Sequence, residues 1–229
     1  MPESTVPAGA VNFRRTLPGL YRSAHLQFLN GTGRAELRAL RLGRILDLRD
    51  RHERQLGPPP FLGEPGYLNL PLLPWRTAEL NSATAQARSN ADLYRAYLDF
   101  AANQIVTVLG AVLDAPEGPV LLHCHAGKDR TGLVTALCGA LAGQDRQTLG
   151  TDYARSGPAL TGFYDDLRRR VTPERWTALA PFVVTRPQDL LDALAHLDTR
   201  WGGVEASLSA HGLNAAEQRA LAARLTHPD

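Results

Sequence analysis

The sequence is poor in cysteine and has no long hydrophobic run. Only Cys124 and Cys138 occur among 229 residues, too few for the disulfide framework of a secreted domain, and this fits a reducing compartment. No apolar run approaches the roughly 20 residues that a membrane span requires, and the N-terminal residues MPESTVPAGAVNFRR lack the pattern of a secretory signal. We therefore expect a cytoplasmic protein without an integral membrane segment. Secretion by a route that needs no signal peptide would leave no mark in such a sequence.

An excess of charge of one sign is also missing. Lys and Arg number 25 and Asp and Glu 23, so the formal net charge of +2 offers no broad attraction to nucleic acid, and we expect no nucleic-acid partner. Lysine itself is almost absent, because Lys128 is the only one. This exception suggests a position that needs a compact ammonium charge rather than the planar fork of arginine.

The sequence does contain enough apolar material for a core. The hydrophobic fraction is 44% and the charged fraction 21%, which is ordinary for a globular protein. We expect a single domain over residues 1–229. Residues 1–10, rich in Pro, Gly and Ser, are expected to form a flexible arm.

Strand and helix patterns alternate in the first half of the chain, and helix patterns dominate the second. Buried strands are predicted at 44–50, at 67–73 and just before Cys124, and the polar segment 75–90 is predicted to be a loop that could cover a site. Helices are predicted at 33–42, 92–114, 130–143, 146–156, 158–171, 187–200 and 215–225. This order predicts an α/β fold with a small, mostly parallel central sheet flanked by helices and a helical C-terminal half.

The stretch LLHCHAGKDRTG, from Leu121 to Gly132, joins a predicted strand to a predicted helix. A glycine-containing loop that opens a helix aims backbone N–H groups and the positive helix end at one point, an arrangement that binds anions. A nucleotide-binding loop of the G-x-x-x-x-G-K-[ST] type is disfavoured, because Leu122 stands at its first glycine and Asp129 at its hydroxyl.

The spacing of cysteine and arginine in this loop predicts phosphate chemistry. Cys124 would lie at the floor of the loop and react as a thiolate, and Arg130 would hold two oxygens of a phosphate. We expect Cys124 to attack phosphorus in line and water to hydrolyse the resulting phosphocysteine, without a metal ion or other cofactor. The predicted phosphate-binding residues are His125, Ala126, Gly127, Lys128, Asp129 and Arg130.

The leaving oxygen needs a proton, and Asp129 is the favoured donor. A phosphate dianion bound beside this carboxyl favours its protonated form, which can donate. Asp47, Asp50 and Glu79 are alternatives that spacing alone does not separate.

Two neighbours of these residues have predicted supporting roles. Thr131 is expected to hydrogen-bond the sulfur, which makes the sulfur a better leaving group in the second step. His123 is expected to orient backbone carbonyls or the thiolate.

HCHAGKDRTG resembles the signature of the cysteine-based tyrosine phosphatase superfamily, and its G-K-D-R form is similar to the bacterial atypical branch. Further stretches follow in the order of that branch: LYRSAHL at 20–26, ILDLRDRHE at 45–53, DYARS at 152–156 and WGGVEASLSAHGL at 201–213. The resemblance implies a tyrosine-phosphatase-like fold and a phosphorylated protein or a phosphoinositide as substrate. It also implies Asp129 as general acid and Lys128 as a residue that helps bind additional phosphates.

The sequence departs from the resemblance at two places. NFRRTLPG, from Asn12 to Gly19, stands where the branch has a run ending in aspartate, leucine and two glycines. PWR at 74–76 carries no carboxylate, so it does not replace the tryptophan-proline-aspartate acid loop of the classical tyrosine phosphatases.

Several residues also have an ordinary structural interpretation. Lys128 and His125 could be solvated residues at the loop tip rather than phosphate contacts. Cys138 is expected to pack in the core, and Arg49 to form an ion pair rather than to touch substrate. No metal-ligand spacing is found for the remaining histidines considered, which are His25, His52, His196 and His211.

Two other functions compete with a phosphatase that has tyrosine or dual specificity. A catalytically weak phosphate-binding interaction module is disfavoured because every catalytic residue type is present. Sulfur transfer, which also uses a cysteine in an anion-binding loop, is disfavoured because Arg130 and Thr131 suit phosphate better.

Overall fold

The computed structural model describes residues 6–74 and 77–227, and within them five strands form one sheet in the order β1-β2-β5-β3-β4. Only the β1–β2 pair is antiparallel; the other three pairs are parallel. The strands are β1 (Arg14–Leu17), β2 (Leu20–Ser23), β3 (Arg44–Asp47), β4 (Tyr67–Asn69) and β5 (Val120–His123). This mostly parallel sheet with flanking helices confirms the predicted fold class.

Helices cover the sheet and make up nearly all of the C-terminal half. Before β5 they are α1 (Gly31–Ala39), α2 (Arg51–Leu56), α3 (Ala78–Gln86), α4 (Asn90–Phe100) and α5 (Ala102–Leu113), with a 3-10 turn at Leu26–Phe28. After β5 they are α6 (Asp129–Leu141), α7 (Arg146–Ala154), α8 (Ser156–Ala159), α9 (Thr161–Arg170), α10 (Pro173–Val183), α11 (Pro187–Trp201), α12 (Val204–Ala210) and α13 (Ala215–Thr226).

The sheet separates two hydrophobic cores. Side chains alternate across each strand, so in β5 Leu122 joins a large core under the helices that follow α3, while Leu121 joins a smaller core on the side of α1. Both leucines have no exposed surface. The central strand is therefore buried on both faces, as the continuous apolar run before Cys124 predicts.

The prediction of a single helix at 92–114 is wrong, because two helices, α4 and α5, cover this range. The chain leaves helical geometry at Ala101 (φ −125°), and α4 and α5 meet at a bend of 83°. The two halves bury side chains against different partners, since α4 packs on α3 and α11 while α5 packs on α6 and α13. Phe100, the last residue of α4, is 45% exposed. Within the described ranges no single helix is long and apolar enough to cross a membrane, although α4 and α5 together would meet that test.

The prediction of a loop at 75–90 is also wrong for the residues from 77 onward, because most of them form helix α3. Residues 75 and 76 lie outside the described residues, but Thr77 caps α3 and Ser89 caps α4. Only Leu80 of α3 is buried, so the helix has no apolar stripe from which a period could be read. Five further elements have no counterpart among the predicted ones, and these are β1, β2, α2, α10 and α12. The helix predicted at 158–171 is two helices, α8 and α9.

The N-terminal arm is held down where the structure describes it. Residues 1–5 lie outside the described residues, but Pro7 is buried and the Ala8 N–H donates to Glu36 at 2.8 Å. These contacts attach the start of the described chain to α1, while the flexible arm over residues 1–10 stays a prediction.

Candidate active site

Three parallel strands end side by side at one edge of the sheet. Ser23 of β2 and Asp47 of β3 are both in register with His123, the last residue of β5. The loop from Cys124 to Lys128 continues from β5 at this edge and leads into α6. It therefore lies at the carboxyl ends of parallel strands, where ligands of α/β proteins bind.

The carbonyl groups of residues 125–128 all accept hydrogen bonds from outside the loop. The donors are the His25 backbone N–H, the Asn12 side-chain amide and the Arg22 guanidinium, at distances from 2.6 to 3.3 Å. In a trans peptide the C=O of one residue and the N–H of the next point in opposite directions. The N–H groups of residues 126–129 therefore face the other side, which makes the loop a concave site for an anion.

Gly127 is required by the way the loop lies against β2. Its φ is +66°, and a Cβ placed on it would lie 2.2 Å from the Ser23 carbonyl oxygen. A larger residue would push the loop off the strand that supports it.

Two buried arginines share one carboxylate beneath the loop. Arg14 Nε lies 2.7 Å from Asp152 Oδ1, and Arg22 Nη1 lies 2.7 Å from Asp152 Oδ2. Burial would raise the pKa of Asp152, but Arg22 and Arg14 outweigh burial and lower it. Two cations and one anion leave net positive charge under the anion site, which favours a phosphate above it.

These supporting residues were not predicted as functional. Arg14 also donates to the Asn12 side-chain oxygen at 2.5 Å, so NFRRTLPG, whose role the sequence leaves open, supplies part of the loop's support. Charged residues inside buried strands were the available signal, because such residues need partners. Arg22 and Asp152 also stand in LYRSAHL and DYARS, two stretches that carry the family resemblance.

Cys124 is buried at the start of the loop, with 2% of its surface exposed. The hydroxyl of Thr131 is buried and has no hydrogen-bond partner in the part of the chain that the structure describes, so the predicted bond from Thr131 to the sulfur is not formed. His123 Nδ1 lies 3.5 Å from the Cys124 carbonyl oxygen. Burial lowers the pKa of His123, so its ring is neutral and placed for the carbonyl contact predicted for it.

Arg130 is held by Glu53 through two hydrogen bonds of 2.6 Å, one from Nη1 and one from Nη2. Burial alone would lower the pKa of Arg130, but the bonds to Glu53 and the nearby Cys124 raise it, so the guanidinium stays charged. Glu53 was not predicted, since it reaches Arg130 from 77 residues away along the chain.

The structure separates the four candidate acids. Asp129, the first residue of α6, is partly exposed and accepts a hydrogen bond of 2.6 Å from Tyr94. Asp47 is completely buried and bound to Arg49 and Tyr67, so it cannot reach a substrate. Asp50 caps α2, and Glu79 is an exposed residue in the first turn of α3.

Lys128 is not a solvated residue at the loop tip. It has no exposed surface, and its Nζ donates to the carbonyl oxygens of Phe182 and Val184 at the end of α10. Its charge therefore lies against the end of a helix, where carbonyl groups lack partners. His125 is exposed, with its ring against those of His25 and Phe163.

Two structural interpretations are confirmed. Arg49 is buried and forms an ion pair with Asp47 at 2.8 Å. Cys138 has no exposed surface, and burial raises the pKa of its thiol to about 12, so it packs as an inert residue. Across the described residues no group of three or more His, Cys, Asp or Glu side chains is arranged to hold a metal ion.

Known phosphatases are similar to this chain in sequence. Residues 10–227 match the tyrosine phosphatase family. The chain is 31% identical over 221 residues to the triple specificity protein phosphatase PtpB of Mycobacterium tuberculosis, covering 77% of this chain and 78% of that protein. It is 29% identical over 217 residues to a tyrosine-protein phosphatase of Nostoc commune, covering 89% and 73%. Among solved structures, P. aeruginosa TpbA is similar at 23% identity and a TM-score of 0.47, covering 90% of this chain and 97% of that one.

Proposed function

This chain belongs to the tyrosine phosphatase family and is a hydrolase of phosphoric monoesters, and we propose that it acts through a phosphocysteine at Cys124. The observation that carries the proposal is the concave loop itself. The carbonyls of residues 125–128 are held by donors outside the loop, so the N–H groups that follow them face the opposite side, and Arg130 is close enough to Cys124 to interact with it electrostatically. A single tetrahedral dianion suits this site.

Arg130 can bind phosphate while it is bound to Glu53. A guanidinium has five N–H donors in one plane. Glu53 accepts one hydrogen bond from Nη1 and one from Nη2. The N–H of Nε and the second N–H of Nη2 lie along the adjoining edge of the guanidinium. That edge is a fork for two phosphate oxygens, and Glu53 sets its orientation.

The reaction proceeds in two displacements. The sulfur of Cys124 forms a bond to phosphorus as the bond to the leaving oxygen breaks, and Asp129 gives its proton to that oxygen. Water then attacks phosphorus, Asp129 takes one proton from it, and the sulfur leaves as thiolate. The loop N–H groups and Arg130 stabilise the charge on the equatorial oxygens in both steps.

We propose phosphotyrosine in proteins as the main substrate, with phosphoserine, phosphothreonine and phosphoinositides as further ones. Support comes from the relatives, of which one is called a triple specificity phosphatase and another a tyrosine-protein phosphatase. A panel of phosphopeptides and phosphoinositides compared by kcat/KM would rank these substrates.

The first test replaces the nucleophile. Cys124→Ser should abolish hydrolysis of a chromogenic aryl phosphate, and brief reaction of the native protein followed by acid quench should give a phosphocysteine by mass spectrometry. Cys138→Ser is the matched control and should keep the activity, because that thiol is buried in the core.

Three outcomes would contradict the mechanism. Turnover by Cys124→Ser would exclude a cysteine nucleophile. Phosphate or vanadate binding without any hydrolysis by the native protein would indicate a binding module, and a persulfide formed from thiosulfate would indicate sulfur transfer.

A further inference from the structure

Two buried tyrosines lead from the core to the proposed acid. Tyr94 of α4 and Tyr153 of α7 have no exposed surface, and their hydroxyl oxygens lie 2.5 Å apart. The Tyr94 hydroxyl also lies 2.6 Å from Oδ1 of Asp129. The rings of the two tyrosines meet edge to face, at 85°, which restricts their movement.

The ionisation state of Asp129 determines which hydroxyl donates in each of these hydrogen bonds. An ionised carboxylate only accepts, so Tyr94 donates to Oδ1, and the hydroxyl of Tyr153 then donates to that of Tyr94. If the proton of the neutral acid is on Oδ2, Oδ1 is still a carbonyl-type acceptor, and the same bonds persist. Burial raises the pKa of both tyrosines, so both keep their hydrogens over the range of an assay.

A cation also lies near the same oxygen. Lys128 Nζ is 3.3 Å from Oδ1 of Asp129. Because Tyr94 and Lys128 both contact Oδ1, Oδ2 is the carboxyl oxygen that can carry the proton. The charged and titratable groups that interact with this carboxyl include Tyr94 of α4, Lys128 of the loop, Tyr153 of α7 and Tyr164 of α9. Asp189 of α11 lies near Tyr153 and Lys128, and Cys124 lies near Tyr164.

We propose that Tyr94, supported by Tyr153, is a positioning residue that holds Oδ1 of Asp129 and so directs Oδ2 and its proton to the leaving oxygen. The inference rests on the proposed role of Asp129. By this proposal, tyrosines of α4 and α7 contribute to proton transfer from outside the catalytic loop.

The test compares leaving groups that differ in their need for a proton. In Tyr94→Phe, kcat/KM should fall about 10-fold for phenyl phosphate, a poor leaving group, and stay nearly unchanged for 2,4-dinitrophenyl phosphate, whose leaving group needs no proton. The basic limb of the pH profile should move to higher pH, because the ionised carboxylate loses a donor and the neutral acid persists further. Tyr153→Phe should give the same pattern more weakly.

Tyr21→Phe is the matched control, because Tyr21 is also buried but lies in the core on the other side of the sheet. It should keep native kcat/KM for both esters. Thermal unfolding of each variant measures any general loss of stability.

The outcomes separate this inference from the proposal on which it rests. An equal fall in Tyr94→Phe for both esters, with the pH profile unmoved, would make Tyr94 a purely structural residue and overturn the inference. Asp129→Asn serves as the reference, because it should slow phenyl phosphate much more than the dinitrophenyl ester. If Asp129→Asn slows both esters equally, the acid lies elsewhere, and the role of Asp129 and the inference fail together while a cysteine nucleophile stands.

Discussion

The catalytic loop and the helix pair α9–α10 are held in opposite ways. Beneath the loop, Arg22 and Asn12 bind carbonyl oxygens from buried positions in or beside the sheet. In α9 and α10, by contrast, no residue is buried. The described contacts that join this helix pair to the site include Lys128 with the carbonyls of Phe182 and Val184, Asn90 with Val184, and the Phe163 ring with His125.

This contrast predicts a rigid loop and a more mobile helix pair. An anion site of fixed N–H groups needs no reorganisation when charge develops, and the buried network under the loop supplies that rigidity. A segment with no buried side chain can open locally at a small fraction of the global stability. We therefore expect α9 and α10 to open far more often than the loop.

The largest effect should come from breaking the support of the loop. Arg22→Met removes the donor to Gly127 and Lys128 and leaves Asp152 with less compensation in a buried position. The expected cost is about 3 kcal/mol of stability and roughly 10²-fold in kcat/KM, measured by urea unfolding and by hydrolysis of an aryl phosphate. Arg15→Met is the control, because Arg15 bonds the carbonyl of Pro18 and not the loop. If Arg22→Met keeps native kcat/KM, the loop does not need this support.

A smaller effect, confined to the helix pair, should follow from Lys128→Met. Methionine fills the buried space without the ammonium, so the carbonyls of Phe182 and Val184 each lose one donor. Hydrogen exchange should become about 10-fold faster in α9 and α10, while the amides of β2 and β5 exchange as before. Uniformly faster exchange would show that Lys128 stabilises the whole fold rather than this attachment.

The smallest effect is expected from Asn90→Ala. This change removes one hydrogen bond of 2.7 Å to the Val184 carbonyl, worth about 1 kcal/mol. Exchange in α10 should rise a few-fold, less than in Lys128→Met. Because both residues donate to the Val184 carbonyl, each single variant leaves one donor on it, so the double variant should show more than the sum of the two effects. Simple additivity would mean that they hold α10 independently.

The parts of the site that could be predicted lie in one short segment. Cys124, Arg130 and the residues between them are placed by a strand, a tight loop and a helix start, which local geometry determines. Glu53, Tyr94 and Tyr153 could not be assigned in this way, because each reaches the loop from another element and gives no local signal. Lys128 shows the limit most clearly, since its position in the sequence suggests a phosphate contact while its described contacts are with the end of α10 and with Asp129.

The α/β order, the anion-binding loop and the spacing of its nucleophile and arginine can be read from the sequence, because each depends on residues that are close along the chain. Which charged side chains are free for chemistry depends on the folded structure. It placed Asp47 and Lys128 in the interior, bound Arg130 to Glu53 and left Asp129 partly exposed beside Tyr94. Burial and partnership depend on segments that are distant along the chain and meet only when the cores form, and no local pattern records those meetings.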